Sequence, residues 1–348
     1  MLIRLSTSEY NRRSCISRFA AAANTLIHTD FTFNKIRHRA SRPASLPTSG
    51  YPSEHGELPL VERHPSLLAL PNGVPARQVT RGKPFLRWAG SKRKQVARLS
   101  TFWTGEHQRY VEPFAGSACL FFEIGPKAAV LGDANLELIG VYRIVRDEPE
   151  RLYRRLCRVR RDLPTYLRWR AIRPSSLDSE TRALRFLFLN RNCFNGIYRT
   201  NTSGHFNVPM GKRPGQYFSK NDLLNCAALL KDTKLVAGDF TKTLTLVQPG
   251  DFVYLDPPYA VTTRRLFTQY GKKTFDTNDI PRFANCLNTI VSVGADFLVS
   301  YADCAEARAL ARDWNAKRLP VRRHVAGFAG DRKNAYEWLI TNRPMPGD

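Results

Sequence analysis

An acid, two prolines and an aromatic, Asp256-Pro257-Pro258-Tyr259, directly follow the apolar run Asp251–Leu255. In open α/β sheets, catalytic groups lie just beyond the carboxyl ends of strands, where this tetrapeptide would fall. The prolines fix φ and donate no N–H, so they favour a rigid turn whose carbonyl oxygens act as acceptors. Asp256 and the Pro257 carbonyl could each accept one hydrogen of an exocyclic amine while Tyr259 stacks on the base. The tetrapeptide therefore indicates chemistry at the amine of a nucleobase, with an ordinary strand-to-turn exit as the alternative.

A second segment, Tyr110–Ala118, has the pattern of a strand that runs into a loop of small residues, and an apolar helix start follows at Cys119. A residue such as Gly116 lets the backbone approach a ligand closely, in front of a helix N-terminus. Seventeen residues past Gly116, Asp133 ends the next predicted strand, where an acid can bind ribose hydroxyls. The loop lacks the third glycine of a dinucleotide phosphate cradle, so the pattern favours a nucleoside-type cofactor.

Short apolar runs alternate with amphipathic segments from Lys83 onward. The predicted strands are Tyr110–Pro113, Ala129–Gly132, Lys234–Ala237, Phe252–Leu255, Phe297–Ser300 and Ala335–Thr341. The predicted helices are Leu136–Val145, Arg151–Arg161, Glu180–Asn192, Asp279–Val293 and Ala305–Asn315. Because strands that alternate with helices form mostly parallel sheets covered on both faces, this order indicates an α/β protein.

A basic segment, residues 143–235, interrupts this alternation. It contains 20 Lys and Arg against 8 Asp and Glu, and so carries +12 of the +24 net charge of the 348-residue chain. A strongly basic surface attracts a polyanion, most commonly nucleic acid, although a basic run can also be a merely solvated face. The segment also holds aromatic side chains that can stack on bases, namely Tyr166, Trp169, Phe194, Tyr198, Phe206, Tyr217 and Phe218. We expect an inserted, largely helical domain that contacts nucleic acid.

Composition excludes several other classes of protein. No apolar run approaches the roughly 18 to 20 residues that a membrane-spanning helix needs. The seven cysteines form no C-x-x-C pair and have no His at ligand spacing, which predicts a reducing compartment and no metal.

The first 82 residues differ from the rest of the chain. Residues 1–53 hold eight Lys and Arg and two acids without apolar periodicity, and a Pro- and Gly-bearing stretch follows from Leu58 to Arg81. We interpret residues 1–82 as a basic, disordered extension and linker. An organelle transit peptide, a tail that touches DNA and a start codon assigned too far upstream would explain it equally well.

The motifs together resemble those of the Dam-type adenine-N6 DNA methyltransferases. The matching segments are P-F-L-R-W-A-G-S-K from Pro84, V-E-P-F-A-G-S-A from Val111, G-D-A-N from Gly132, N-R-N-C-F-N-G-I-Y-R from Asn190, G-H-F-N-V-P-M-G from Gly204 and D-P-P-Y from Asp256. Their order matches as well as their content, over roughly Lys83 to Thr341. The resemblance implies a Rossmann-like methyltransferase fold with a mostly parallel seven-stranded sheet. It assigns residues 83–146 and 236–348 to the catalytic domain and residues 147–235 to a target-recognition insertion.

This resemblance also implies S-adenosylmethionine as the cofactor and double-stranded DNA as the partner. The implied cofactor-binding residues are Trp88, Lys92, Phe114, Gly116, Asp133, Asp239 and Asp256, and the catalytic ones are Asp256, Pro257, Pro258 and Tyr259. The implied target-reading residues are Phe194, Asn195 and Arg199, with Arg191 and Lys212 on phosphate. Two positions depart from the family pattern, since Ser91 and Ala118 stand where glycine is frequent. Both are small, so cofactor binding is weakened at most.

The expected reaction is methyl transfer to the N6 amine of an adenine rotated out of a short duplex site, with a G-A-containing core like that of GATC. No cysteine follows a proline, which argues against cytosine-C5 methylation. Methylation of cytosine N4, RNA adenine or protein glutamine, and a catalytically inactive DNA-binding regulator, stay open from the residues alone. So does the biological role, whether restriction-modification, repair, replication or phage biology. We expect a cytoplasmic monomer associated with a bacterial or phage nucleoid, and we do not favour organelle targeting by the N-terminal extension.

Overall fold

The computed structural model describes residues 81–201, 203–212, 215–258, 275, 278–321 and 335–346. The predicted N-terminal extension, apart from its last two residues, and the catalytic-motif residue Tyr259 therefore lie outside the described residues.

Seven strands of the described chain form one sheet. They are β1 Arg109–Glu112, β2 Ala129–Asp133, β3 Thr233–Ala237, β4 Asp251–Leu255, β5 Asp296–Ala302, β6 Asn315–Val321 and β7 Ala335–Thr341. The sheet order is β3-β2-β1-β4-β5-β7-β6. β7 is antiparallel to both neighbours, and the other pairs are parallel. The fold is the predicted Rossmann-like one, and its strand order reverses beside β1, where α/β sheets bind ligands.

Ten helices occur in the described part of the chain. They are α1 Val96–Leu99, α2 Cys119–Ile124, α3 Leu136–Asp147, α4 Pro149–Arg158, α5 Leu163–Ala171, α6 Ser179–Asn192, α7 Lys220–Leu230, α8 Phe240–Leu244, α9 Asp279–Ser292 and α10 Ala305–Leu310. Side chains of Asn135, Asp162 and Asp178 accept hydrogen bonds from backbone N–H groups in the first turns of α3, α5 and α6. Such caps fix where a helix begins. None of these helices is long and apolar enough to cross a membrane.

The sequence pattern failed at the far edge of the sheet. The predicted helix Ala305–Asn315 ends at Leu310, and Asn315 instead begins β6, which the pattern did not predict. β6 is a partly exposed edge strand, so it lacks the apolar run that marks β2 and β4, and it tolerates Pro320. Helices α5, α7 and α8 were also not predicted.

The basic segment is largely helical, as expected, and its helices α6 and α7 pack against α3. The expectation that its aromatic residues are available to bases is wrong for the four that are buried, and Trp169 and Tyr217 are half-buried. Tyr166, Tyr198, Phe206 and Phe218 are at most 8% exposed, and Trp169 and Tyr217 pack against the same core. Only Phe194 is exposed, at 47%. The other aromatic side chains belong to one apolar core that the helices of the basic segment share with the sheet and with α3. The boundaries of the insertion at residues 147 and 235 stay a prediction.

Candidate active site

The carboxylate of Asp256 lies immediately after the buried strand β4. Its Oδ1 accepts hydrogen bonds from Lys92 Nζ at 3.0 Å and from Ser300 Oγ at 3.0 Å. No described residue donates to Oδ2, and 21% of the side chain is exposed. One carboxylate oxygen is therefore held by the protein, while the other can accept a hydrogen from a ligand. Pro257 is buried and Pro258 is half-buried beside it.

Lys92 connects this carboxylate to a second one on the antiparallel strand β7. Its Nζ lies 3.2 Å from Glu337 Oε2, which also accepts a hydrogen bond from Gln95 Nε2 at 2.9 Å. Lys92 and Glu337 are both only 6% exposed, so this ion pair is buried. Glu337 was not among the site residues predicted from the sequence. The signal was an acid in the middle of an otherwise apolar predicted strand, which a solvent-facing position would not require.

Ser300, on β5, was also missed, and its hydroxyl is hydrogen-bonded to the Tyr254 hydroxyl at 2.9 Å. A serine in a buried strand carries no signal in the sequence, because it is common there without any role.

Acids follow or end the three neighbouring strands β1, β2 and β4; Glu112 is buried, and Asp133 and Asp256 are half-buried. Burial raises the pKa of Glu112 well above its usual range, although a hydrogen bond from the Tyr110 hydroxyl opposes the shift. Burial raises the pKa of Asp133 to about 6, against the opposing backbone N–H groups of Asn135 and Gly116. Burial also raises the pKa of Asp256, and the Lys92 ammonium opposes that rise. Of these three acids only Asp256 is paired with the Lys92 ammonium, so the acids at the described strand ends favour a cationic ligand.

The small-residue loop is attached directly to Asp133. The Gly116 N–H donates to Asp133 Oδ2 at 3.0 Å, and the Asn135 N–H donates to Oδ1 at 2.8 Å. Gly116 has a φ of +47°, and the Tyr142 hydroxyl donates to its carbonyl oxygen at 2.8 Å. A Cβ on Gly116 would lie 2.8 Å from the indole of Trp88, so this approach requires glycine.

Aromatic rings border the same loop. Trp88 is half-buried and stacks on Tyr198, with 5.9 Å between ring centroids. Phe114 stacks on Phe240 at 5.3 Å and meets Phe275 edge-on at 6.0 Å. The structure thus brings Trp88, Gly116 and Asp133 into one contiguous group.

The Asp239 carboxylate forms a helix cap and an ion pair outside the group of Trp88, Gly116 and Asp133. Its carboxylate caps α8 through the backbone N–H of Thr241 at 3.0 Å and pairs with Arg282 at 2.9 Å. The adjacent Gly238 N–H donates to the Asp133 carbonyl oxygen at 2.9 Å, which keeps this turn beside the loop. No hydrogen bond joins the Asp239 side chain to another predicted site residue in the described chain.

The predicted target-reading residues lie on a loop that follows α6. Residues 194–199, hereafter the target-reading loop, begin with a tight turn in which Asn195 has a φ of +53°. The Phe194 and Asn195 side chains are exposed, and Arg199 Nε donates to Asn207 Oδ1 at 2.9 Å. Bridges from Cys193 to Met210 and from Thr200 to Phe206 close this segment into a hairpin.

Of the two predicted phosphate contacts, Lys212 is exposed. Arg191 is half-buried; its guanidinium donates to the Gln216 carbonyl oxygen and lies over the Phe218 ring. Burial, with the neighbouring Arg87, Arg93 and Arg161, lowers the pKa of Arg191 to about 10. The described residues contain no group of three or more His, Cys, Asp or Glu that could hold a metal ion.

The strand order, the antiparallel β7 and the acids at the strand ends define a Rossmann-like methyltransferase. Residues 88–326 match the model of the D12 class N6 adenine-specific DNA methyltransferases, and the chain belongs to this family. It is therefore an adenine-specific DNA methyltransferase, which confirms the resemblance inferred from the motifs.

Named relatives agree with this assignment. The chain is 31% identical over 270 residues to the type II methyltransferase M1.LlaDCHI of Lactococcus lactis subsp. cremoris, covering 75% of this chain and 95% of the relative. It is 30% identical to the type II methyltransferase M.MjaIII of Methanocaldococcus jannaschii, covering 75% and 99%. It is 29% identical to a DNA adenine methylase of Vibrio cholerae serotype O1, covering 75% and 96%.

Proposed function

We propose that this enzyme transfers the methyl group of S-adenosylmethionine to the N6 amine of an adenine rotated out of a short duplex site. The observation that carries the proposal is the hydrogen bonding of the two oxygens of the Asp256 carboxylate. One carboxylate oxygen is held by Lys92 and Ser300, while no described residue donates to the other, directly before two prolines. An amine with two hydrogens needs two such fixed acceptors, and Asp256 Oδ2 and the Pro257 carbonyl can supply them.

The residues around the ends of β1 and β2 fit S-adenosylmethionine. The Asp133 carboxylate is fixed by two backbone N–H groups and can accept ribose hydroxyls. The missing side chain of Gly116 lets the Trp88 indole pack directly against the loop backbone, and the half-buried indole can contact an adenine or an alkyl chain. The acids at the strand ends offset a positive ligand charge. When bound, this cofactor would supply a methyl group on a cationic sulfur.

The chain's own residues position and polarise the target amine. Accepting hydrogens at Asp256 Oδ2 and the Pro257 carbonyl directs the nitrogen lone pair away from the base ring. The Lys92 ammonium opposes the rise in the pKa of Asp256 that burial causes and so favours its ionised form, and a proton leaving N6 can pass to Oδ2. Positioning and electrostatics of this kind carry the rate without a covalent nucleophile. Tyr259, which lies outside the described residues, keeps its proposed role of stacking on the base.

The insertion, residues 147–235, would read the DNA. Exposed Phe194 can fill the stack that the rotated base leaves, and Asn195 and Arg199 can contact adenine and guanine edges in the major groove. Lys212 can meet phosphate. Arg191 would have to leave the Gln216 carbonyl oxygen to do the same, so its contribution is the smaller one. We expect a G-A-containing site, with GATC as the first one to test, and a monomeric enzyme.

The product identifies the substrate directly. The protein is incubated with S-adenosylmethionine labelled in its methyl group and with duplex DNA or RNA that lacks adenine methylation, and the digested nucleosides are separated. We expect label in N6-methyldeoxyadenosine, and methylation-sensitive sequencing then maps the site. Label in cytosine or only in RNA would refute the proposed substrate. Failure of the unlabelled cofactor to compete would refute the cofactor.

The role of Asp256 is tested with Asp256→Asn, which keeps the size of the side chain and removes its charge. We expect methyl transfer to fall by about 10²- to 10³-fold while the affinity for duplex DNA stays within about twofold. The matched control is Asp313→Asn, at an exposed acid in the turn between α10 and β6. Wild-type activity in Asp256→Asn would contradict the assignment.

A further inference from the structure

We infer that Tyr198 couples the cofactor site to the target-reading loop, through its ring contact with Trp88 and its hydrogen bond to Glu137. The inference rests on the proposed function, because it takes Trp88 and Asp133 as parts of the cofactor site. It adds a positioning residue that neither the motifs nor the proposed chemistry required.

Tyr198 points into the protein from a loop whose other functional side chains point outward. It is 8% exposed, against 47% for Phe194. Its ring stacks on Phe186 at 4.8 Å and on Trp88 at 5.9 Å. The tyrosine is therefore the anchor by which this loop is held to the rest of the site.

The hydroxyl of Tyr198 makes a second connection. It donates to Glu137 Oε1 at 2.9 Å, and Glu137 lies in the first turn of α3, just after Asp133 and Asn135. Glu137 Oε2 lies 3.6 Å from the guanidinium of Arg185, which is 1% exposed. A hydrogen bond to a half-buried carboxylate that also lies near a buried guanidinium is strong and directional, so it restricts where the tyrosine can sit.

Both connections end at residues of the proposed cofactor site. Trp88 lies so close to Gly116 that a Cβ there would come within 2.8 Å of the indole. The start of α3 is held by Asp133 through the Asn135 N–H at 2.8 Å. A ligand that orders Trp88 and Asp133 therefore restricts Tyr198 from two sides, and with it the neighbouring Arg199. The bound cofactor would thereby raise the affinity of the loop for DNA. Because coupling is reciprocal, bound DNA would raise the affinity for the cofactor by the same factor.

Hydrogen–deuterium exchange of the full chain, with and without S-adenosylhomocysteine, tests the coupling without DNA and without turnover. The reporters are two backbone amides of the hairpin, Asn201 N–H, bonded to the His205 carbonyl oxygen, and Asn207 N–H, bonded to the Arg199 carbonyl oxygen. In the wild type we expect S-adenosylhomocysteine to slow exchange at these amides by about fivefold or more, the lower end of usual coupling factors.

Tyr198→Phe keeps the ring and removes the hydroxyl, and Tyr198→Leu also removes the stack. We expect Tyr198→Phe to lose most of the ligand-induced protection, while calorimetry shows that S-adenosylhomocysteine still binds within about tenfold of wild type. The matched control is Tyr166→Phe, because the Tyr166 hydroxyl donates to the Val208 carbonyl oxygen of the same hairpin at 2.9 Å but contacts neither Trp88 nor Glu137. This control loses a buried hydrogen bond to the hairpin and should keep the response to the ligand.

The outcomes separate this inference from the proposed function. If the wild type binds S-adenosylhomocysteine without slowing the hairpin amides, or if Tyr198→Phe and Tyr198→Leu respond like wild type, the coupling is refuted and the methyltransferase proposal stands. An equal loss of response in Tyr166→Phe would also refute it, since Tyr198 would then be only one core contact among several. If calorimetry detects no S-adenosylhomocysteine binding to the wild type, the cofactor assignment fails, and the coupling fails with it.

Discussion

Lys92 and its partners influence the protonation of Asp256, the proposed catalytic carboxylate. The buried ammonium of Lys92 lies between Asp256, which follows β4 and is 21% exposed, and Glu337, which is buried on β7. Burial alone would favour neutral carboxyls, and a nearby cation is what opposes that tendency. Glu337 in turn raises the pKa of Asp256. The second acid therefore holds Lys92 in place at an electrostatic cost to the first.

Asp133 leads to a prediction about pH. Burial raises its pKa to about 6, so folding favours the protonated carboxyl. This contribution to stability is complete below the ordinary pKa of about 4 and is lost as the pH rises through about 6. The ionised form is the better acceptor for ribose hydroxyls, so we expect the affinity for S-adenosylhomocysteine to weaken below about pH 6, by up to about tenfold per pH unit.

Calorimetry between pH 5 and pH 8 measures this dependence. Asp133→Asn should bind more weakly and show a flatter profile, because no charge remains to titrate. Between pH 5 and pH 8, the free energy of unfolding should fall more in the wild type than in Asp133→Asn, because only the wild type has a carboxyl group at this position to ionise. A wild-type affinity that does not change across this range would contradict the role of Asp133.

At the scale of elements, the two departures from the family pattern meet at the turn into α2, where Ala118 lies and which Ser91 contacts from the segment before α1. Ser91 lies in a hydrogen-bonded group with Ser117 and Cys119, at 3.3 Å between the serine hydroxyls and 3.0 Å from Ser91 Oγ to Cys119 Sγ. Ala118 adopts a left-handed conformation with a φ of +47°, a conformation in which glycine is the most common residue. Ser91 thus adds contacts, whereas Ala118 adds backbone strain.

The strain at Ala118 can be measured by substitution. A left-handed alanine costs about 1–2 kcal/mol, and Ala118→Gly removes that cost but loses a buried methyl group worth about 0.8 kcal/mol and frees the unfolded chain. We expect the free energy of unfolding to change by less than about 0.5 kcal/mol. The control Ala183→Gly, in the right-handed helix α6 at 2% exposure, should lose about 1.5–2 kcal/mol. Urea denaturation measures both free energies of unfolding. If Ala118→Gly loses as much as Ala183→Gly, Ala118 is not strained.

At the scale of the whole molecule, the charge is concentrated where the DNA would lie. Residues 143–235 carry +12 of the total +24. Many of these cations are already bound within the protein, as in the pairs of Arg155 with Glu180 and Arg185 with Glu137. The contacts with phosphate must therefore come from the exposed remainder, of which Lys212 is one.

The salt dependence of DNA binding tests whether the exposed cations make the contacts with phosphate. Each phosphate contact contributes about 0.9 to the slope of log affinity against log salt. We expect Lys212→Gln to lower the slope by about that amount and to weaken binding equally for all duplex sequences. The control Lys317→Gln changes an exposed lysine on β6, at the opposite edge of the sheet from β3, and should leave the slope unchanged. An unchanged slope in Lys212→Gln would remove Lys212 from the DNA interface.

Local patterns in the sequence determined the parts of this protein that depend on neighbours along the chain. An apolar run followed by an acid marks a buried parallel strand and its carboxyl end, so β2 with Asp133 and β4 with Asp256 could be predicted. The same reasoning found the parallel part of the sheet, and the motif order identified the family. The polar edge strand β6 could not be found this way, because an edge strand needs no apolar alternation.

Only the tertiary structure decided which distant residues meet and which way the aromatic side chains point. Glu337 reaches Lys92 across 245 positions of the chain, and that contact exists because β7 inserts antiparallel beside β5. Tyr198 and Phe194 are both aromatic residues of one loop, yet one is 8% and the other 47% exposed. Strand order and helix packing set these outcomes, since a side chain's partners depend on the whole arrangement of elements and not on its neighbours in sequence.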